Sequence, residues 1–586
     1  MNATLAPEVA PDVVARRQYV PKGINFAEFA QIELLLIELR DRQLSDVAAM
    51  EQWLADYSEL YAAVDEFGAR RYIAKSCHTD DMEIEKAFMF WVEQIEPKLK
   101  PYFFELKKKF IASPHREKLL GVAGSHRYAI LSRHWLADVE LFRPENVPLE
   151  TAETRLTNDY DRINGAMMIA FEGSTYTPQQ MARFLEVQER DRRESAWRAL
   201  SNKRLEHRAE FDRLYNELIG VRQQIARNAG FDNYIDYTFR RLKRFDYTPK
   251  HCHDFAHAVE EGVMPVIHRM NEKRRVRLGL PKLRPWDMSV DPKNRPPLRP
   301  FDPSDIDRFV STSRSVFDRL SPDLARDFES LRTHGNLDLA SRPGKQPGGY
   351  QSSLEESQQP FIFMNAAGLH RDVETLLHEA GHAFHYQLAS RSEPLVFLRS
   401  APMEFCEVAS MGMELLALDH YDAFYPNPSD FKRACIEQLR GNVVVLAWVA
   451  TIDQFQHWVY SNPDHTIDER TDAWKKLIAR FGDAVDWSGC EPVRDAMWQR
   501  QLHLYHVPFY YIEYAIAQIG AVQLWLKARQ DPKQALANYR SALSLGGTRS
   551  LPELFTAAGL VFDFSSKTIV PLLRAVEEEL LALDQE

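Results

Sequence analysis

The sequence predicts a mainly α-helical fold with one small β-sheet. Three observations carry that prediction. Apolar residues recur with i, i+3, i+4 spacing through most of the 586 residues. Glycine is scarce, at 24. Strand-like runs separated by turn residues gather in one region, at 336–364.

Residues 1–22 read as a loose leader carrying Pro7, Pro11 and Pro21. From Phe26 the pattern turns helical, with Ile32, Leu35, Leu36 and Leu39 on one face. Helical periodicity continues through 47–67, 70–106 and 114–136, with a less regular link over 133–147. Residues 151–172 fit either a helix or a partly extended segment. Thr177-Pro178 is a helix start with Pro in the first turn, followed by a charged helix over 188–227. Its run from Glu189 to Glu194 is a solvated face with i, i+4 pairing. A soft boundary near 176–196 divides the chain into an N-terminal helical region, 1–195, and a second part, 196–586.

Thr248-Pro249 begins another helix, which carries His251, His253 and His257. His253 and His257 form a second two-histidine face, although Asp254 stands where a longer acid is usual, and a solvated helix start explains them more simply. Seven prolines in 278–303 exclude a helix interior and predict an ordered loop. Helix returns over 309–334. Then Asn336 to Leu339, the turn Gly344 to Gly349, and Phe361 to Met364 predict the small sheet. An exposed strand there could pair with an extended peptide, or serve only as a structural hairpin.

The chain's chemistry centres on Thr375-Leu-Leu-His378-Glu379-Ala-Gly381-His382-Ala-Phe-His385. Residues four apart on a helix share a face, so His378 and His382 can offer two imidazole nitrogens to one metal ion. Glu379 lies beside them, where a carboxylate can take a proton from water. After a break at 390–402, an apolar helix offers Glu404, Glu407 and Glu414 as third ligands. Glu407 has Phe405, Cys406, Val408 and Ala409 as neighbours, and a carboxylate in such surroundings calls for a cation. Two histidines, one glutamate and an open fourth position form a catalytic zinc arrangement. Further on, His503, Tyr505, His506, Tyr510, Tyr511 and Tyr514 crowd together around Pro508, with a helix predicted over 509–527. They read either as donors for a developing oxyanion or as an aromatic core with satisfied hydroxyls.

Bulk properties narrow the function classes. The net charge is −11, with Lys107–Lys109 the longest lysine run, which argues against a nucleic-acid partner. The apolar run from Val443 to Ile452 is too short to span a bilayer, so no membrane partner is expected. Five scattered cysteines give no disulfide framework and no thiolate zinc motif. Together with an N-terminus that lacks an apolar leader core, they predict a cytoplasmic location.

These residues resemble the thimet oligopeptidase and oligoendopeptidase F family of zinc metallopeptidases, and the oligoendopeptidase F-like members in particular. The resemblance rests on Asp338 with Gly348-Gly-Tyr350, on 372–385, on Glu407-Val-Ala-Ser410, on Ala450 to Phe455, on Pro508 to Tyr514, and on Gly546-Gly547. It implies two helical lobes enclosing a deep substrate channel, with the small sheet next to the motif helix and 196–586 as the catalytic domain. It also implies one zinc ion on His378, His382 and Glu407, Glu379 as general base, and short oligopeptides as substrates of an endopeptidase. Tyr514 and Tyr511 match the family's oxyanion donors, and His506 is preferred to His503 as the accompanying histidine. Gly348-Gly-Tyr350-Gln351 departs from the family's Gly-Ala-Tyr-Cys, so thiol regulation is not implied there. Asp372 or Glu374 could orient a ligand, or simply complement the helix N-terminus. A zinc carboxypeptidase or dipeptidyl carboxypeptidase, and an inactive peptide-binding module, are the alternatives. The sequence does not distinguish monomer from homodimer.

Overall fold

The computed structural model describes residues 9–122, 126–342, 344–346 and 348–585. The expected leader proline Pro7 and the turn proline Pro347 lie outside them. Helices dominate, as expected. The described strands are β1 (Ile169–Phe171), β2 (Ser174–Tyr176), β3 (Leu337–Ala340), β4 (Tyr350–Leu354) and β5 (Gln359–Ala366). The chain forms two compact units, each assembled from three stretches: 1–140, 299–435 and 520–562 in one, and 141–298, 436–519 and 563–586 in the other. This is a division in space, separate from the division in sequence at 195/196.

The first unit is built on a long helix, Val47–Cys77, whose N-terminus is capped by Asp46 accepting from the Ala49 N–H at 2.8 Å. The sequence pattern breaks near Gly68, yet the helix runs on without interruption. Its face of Trp53, Leu54, Tyr57 and Leu60 packs on Ile32, Leu36 and Leu39 of helix Phe29–Asp41. The indole of Trp53 donates to the Leu39 carbonyl at 2.8 Å, so the largest ring in this core leaves no polar atom unpaired. Residues 9–22 are more ordered than the prolines of the leader suggest. Pro11–Ala15 is a short helix, and the Arg17 guanidinium pairs with Glu356 from Nε to Oε1 at 2.5 Å.

The expected sheet is present in the order β3-β5-β4, with β3 parallel and β4 antiparallel to β5. Ile73 and Cys77 of the long helix cover Leu354, Phe361 and Phe363. β4 is an edge strand. β5 leads through Gly368, at φ +80°, directly into the motif helix, His370–Ser392. A Cβ at Gly368 would come within 3.0 Å of the Phe301 carbonyl, so both conformation and space require glycine there.

The second unit contains two departures from the expected pattern. The 133–147 link is helical to Leu141, and helix Asn146–Gly165 follows. The ambiguity over 151–172 resolves into both readings, since that helix gives way to β1. A second sheet was not anticipated: β1 and β2 form a hairpin across Glu172 and Gly173, both in the left-handed region at φ +49° and +77°. The proline-rich 278–303 segment is an ordered loop, as expected. Its buried Asp287 accepts from Arg190 at 2.9 Å and Arg193 at 3.3 Å. Helix Pro428–Ser461 extends the apolar run of 443–452 to 34 residues, which by length and composition could cross a membrane; 61% of its most apolar window is covered by protein.

Helix Met403–Leu416 runs back along the motif helix in the first unit. Their crossing is closest at Gly381, where a Cβ would fall 2.5 Å from the Ala409 carbonyl oxygen and 2.6 Å from the Ser410 Cα. Both obstacles are backbone, so they cannot rotate aside. Gly381→Ala should therefore force the helices apart, at a cost of about 1–3 kcal/mol by overpacking. The unfolding midpoint in denaturant should fall and bound metal should decrease with it; an unchanged midpoint would show that the crossing tolerates a methyl group.

Candidate active site

The motif helix starts where Asp372 accepts the Ala367 and Leu369 N–H groups at 2.7 and 2.9 Å. Asp372 is therefore a helix-end acceptor. Glu374 faces His370 at 3.4 Å from Nε2, one turn before the motif. Of the two acids expected as ligand orienters, each has a local partner instead.

Two turns further on, His378 and His382 point toward the returning helix, their rings 4.9 Å apart and steeply inclined. Glu407 Oε2 lies 3.4 Å from His378 Nε2 and 3.6 Å from His382 Nε2. The three donor atoms can converge on one ion. Ser410, one turn beyond Glu407, donates to the same Oε2 at 3.0 Å and fixes the carboxylate. Glu404 is buried but lies outside this group. Glu414 does not act as a third ligand. Its Oε1 accepts from His378 Nδ1 at 2.7 Å, which leaves Nε2 facing the metal position. One of the three carboxylates offered as third ligands thus contacts the far nitrogen of His378 instead.

Burial and charge set the proton affinities here. Burial alone would lower the His378 imidazole, but Glu407 and Glu414 raise it well above its ordinary value. Burial takes His382 down to about 4, against the pull of Glu407. Burial opposes ionisation of Glu407, yet His378 and His382 hold it at about 2. Glu379 is pushed up to about 7, first by burial and then by Glu407. The backbone of Gln351, on edge strand β4, works against that rise. Two imidazoles and one carboxylate, with a fourth position left to water, are the donor set that suits a catalytic zinc ion. The residues present fit that metal.

Against this geometry the comparisons are direct. Residues 183–569 match the profile described as peptidase family M3, and 27–134 match that of the peptidase M3 N-terminal domain. The chain belongs to peptidase family M3. A solved structure described as PZ peptidase A with inhibitor 2 is 28% identical and covers 97% of this chain and 99% of its own, with a TM-score of 0.87. An oligoendopeptidase F homolog from Mycoplasma pneumoniae is 23% identical over 80% of this chain and 76% of its own length. Another, from Lactococcus lactis subsp. lactis, is 20% identical over 80% and 74%. This M3 chain is a metallopeptidase of the oligoendopeptidase F type, as its motifs led one to expect.

The aromatic cluster lies in the second unit. His503 Nε2 is 3.3 Å from the Tyr514 hydroxyl, and its ring centroid is 4.9 Å from that of Tyr511. His506, the histidine expected to accompany the tyrosines, instead bonds Asp161 through Nε2 at 2.9 Å. Both histidines lie on the short helix Leu502–His506, but His503 packs against Tyr511 and Tyr514 while His506 is claimed by Asp161. Pro508 and Phe509, the latter at φ +66°, turn the chain into helix Ile512–Gln530. Arg244 holds this turn by donating to the Phe509 carbonyl at 2.5 Å and to Glu513 at 2.8 Å.

The two histidines of the second face have separate partners: His253 Nδ1 lies 2.8 Å from Gln454 Oε1, and His257 pairs with Glu261 at 3.3 Å, while His251 accepts from the Thr248 N–H at 3.1 Å as a helix cap.

Glu414→Ala should leave both metal-facing nitrogens in place but free the His378 ring to rotate. Metal affinity should fall about 10–100-fold, read by competition with a chromogenic chelator. Wild-type affinity would remove Glu414 from this role.

Proposed function

We propose that this M3 peptidase cleaves internal bonds of short oligopeptides, with one zinc ion on His378, His382 and Glu407 and with Glu379 as the general base. The observation that carries the assignment of Glu379 is its position: it is buried next to His378 on the motif helix, yet outside the ligand set. Zinc, when bound there, would polarise water and the scissile carbonyl. Glu379 takes the proton from the attacking water. Its raised proton affinity suits both that step and the later transfer to the leaving amine. As the outer strand of its sheet, β4 would offer backbone donors and acceptors to an extended peptide.

Tyr514 and Tyr511 are proposed as donors to the oxyanion, with His503 rather than His506 as their companion. Support comes from the 3.3 Å contact between His503 and Tyr514. The deep channel implied by the family resemblance belongs to the same reading, as does 196–586 as the catalytic domain. So does a reducing, cytoplasmic setting, supported by the scattered cysteines.

An internally quenched peptide blocked at its C-terminus tests the reading, because an exopeptidase that anchors a terminal carboxylate cannot use it. The wild type should cleave it. Glu379→Gln should retain metal in full while turnover falls by about 10²–10⁴-fold. Full activity in that variant would remove the general-base role, and failure of the wild type on blocked peptides would favour a carboxypeptidase. Tyr514→Phe should lower kcat by about 10²–10³-fold with little change in KM. An unchanged kcat would return Tyr514 to a packing role.

A further inference from the structure

One group of chemically capable side chains takes no part in the site above. Helix Pro249–Ala258 and helix Pro428–Ser461 meet within the second unit, where Cys252 from the former faces Asp453 and His457 from the latter. One ligand-type atom from each lies within 4.8 Å of the other two. All three residues are buried, and Cys252 and Asp453 are completely so.

Asp453 Oδ1 and His457 Nε2 are both enclosed with no hydrogen-bond partner. The other carboxylate oxygen, Oδ2, has two neighbours: the Gln454 amide donates to it at 3.2 Å, and His457 Nε2 stands 3.5 Å away, beyond good hydrogen-bond geometry. A carboxylate sealed from water with one oxygen unserved is costly, and so is an imidazole nitrogen in the same position. Asp453 and His457 are four residues apart on one helix face, the spacing that lets two side chains share an ion. The surroundings add support. The His253 ring lies 4.8 Å from that of His457, tilted by 49°, and its Nδ1 is bonded to Gln454 Oε1 at 2.8 Å, so Gln454 ties both helices to the group.

We propose that Cys252, Asp453 and His457 form a second metal site, which takes a divalent cation of the zinc and cobalt class. A thiolate, an imidazole and a carboxylate together favour borderline-soft ions over calcium or magnesium, which prefer all-oxygen shells. The site is closed to solvent, so its role is structural: the ion would clamp the two helices. His253, exposed on the neighbouring helix face, covers the His457 ring. The site is independent of the catalytic reading, because the two ligand sets share no residue.

Cobalt discriminates between the two sites. The His378, His382 and Glu407 set contains no sulfur, so only the second site can give a thiolate-to-cobalt charge-transfer band in the near ultraviolet. Protein produced in cobalt-supplemented medium should show that band in the wild type. The band should persist in the His378→Ala, His382→Ala double variant and vanish in Cys252→Ser, with far-ultraviolet circular dichroism confirming that the variants are folded. Elemental analysis should give about two ions per wild-type chain and about one in each variant. Absence of the band from the wild type would overturn the proposal without any variant. Persistence of the band in Cys252→Ser would overturn it as well. A wild type with the band but only one ion, retained in the double variant, would support this site while counting against the catalytic one.

Discussion

Everything in the metal centre depends on how closely two helices can approach at Gly381. The motif helix supplies His378, Glu379 and His382; Met403–Leu416 supplies Glu407, Ser410 and Glu414. Contacts between them run in opposite senses along the two chains, from His378 with Glu414 to His382 with Glu407. Gly381 sits between those pairs against the Ala409 carbonyl and the Ser410 Cα. A side chain there would widen the spacing that brings Glu407 to both imidazoles. The Tyr539 hydroxyl donates to the same Ala409 carbonyl at 2.6 Å, so the crossing is held from its outer side as well. Gly412, against Leu524 and Tyr539, extends the small-residue surface along the returning helix.

The site is also a problem in charge balance. Glu379, Glu407 and Glu414 surround two histidines in a largely apolar setting. With both imidazoles neutral, ionised carboxylates in that setting would leave uncompensated charge. Two shifts relieve it: against the effect of burial, Glu407 and Glu414 hold the His378 proton, and burial drives Glu379 toward its neutral form. A dication in the donor group would replace the first shift, neutralising Glu407 and releasing His378 to act as a ligand. The same burial that makes this group costly without a cation also raises the proton affinity of Glu379.

How much of this was legible in the sequence differs from residue to residue, for physical reasons. His378 and His382 were readable because helical spacing alone puts them on one face. Glu407 was readable because a carboxylate among Phe405, Cys406, Val408 and Ala409 needs a partner. Whether Glu414 would be a ligand or an orienter was not readable, since that depends on the phase of the helix crossing and hence on Gly381. The different surroundings of His503 and His506 turn on Asp161, more than 300 residues earlier, which bonds the second of them. The β1–β2 hairpin escaped notice because each strand has three residues, too few for alternation to register, although Glu172-Gly173 was a turn signal. The continuation of Val47–Cys77 through Gly68 had a tertiary cause: the Trp91 ring fills the space where a Cβ would be, within 2.8 Å.

The second unit shows a different way of fixing a functional segment. Residues from Leu502 to Tyr514 contain too many turns to be held by regular backbone pairing, so buried arginines hold them instead. Arg222 is fully enclosed and donates to the Leu504 carbonyl and the Tyr460 hydroxyl, both at 2.9 Å, and to the Tyr505 carbonyl, while Glu153 balances its charge at 2.6 Å. Arg244 does the same for Phe509 and Glu513. Gln456 accepts the Phe509 N–H at 2.6 Å, which accounts for the remaining donor at the left-handed turn. A guanidinium offers five donors in a fixed plane, so one side chain can serve several orphaned carbonyls at a helix break. This is why the aromatic segment can leave and re-enter helix within a few residues and still present His503, Tyr511 and Tyr514 in one defined arrangement.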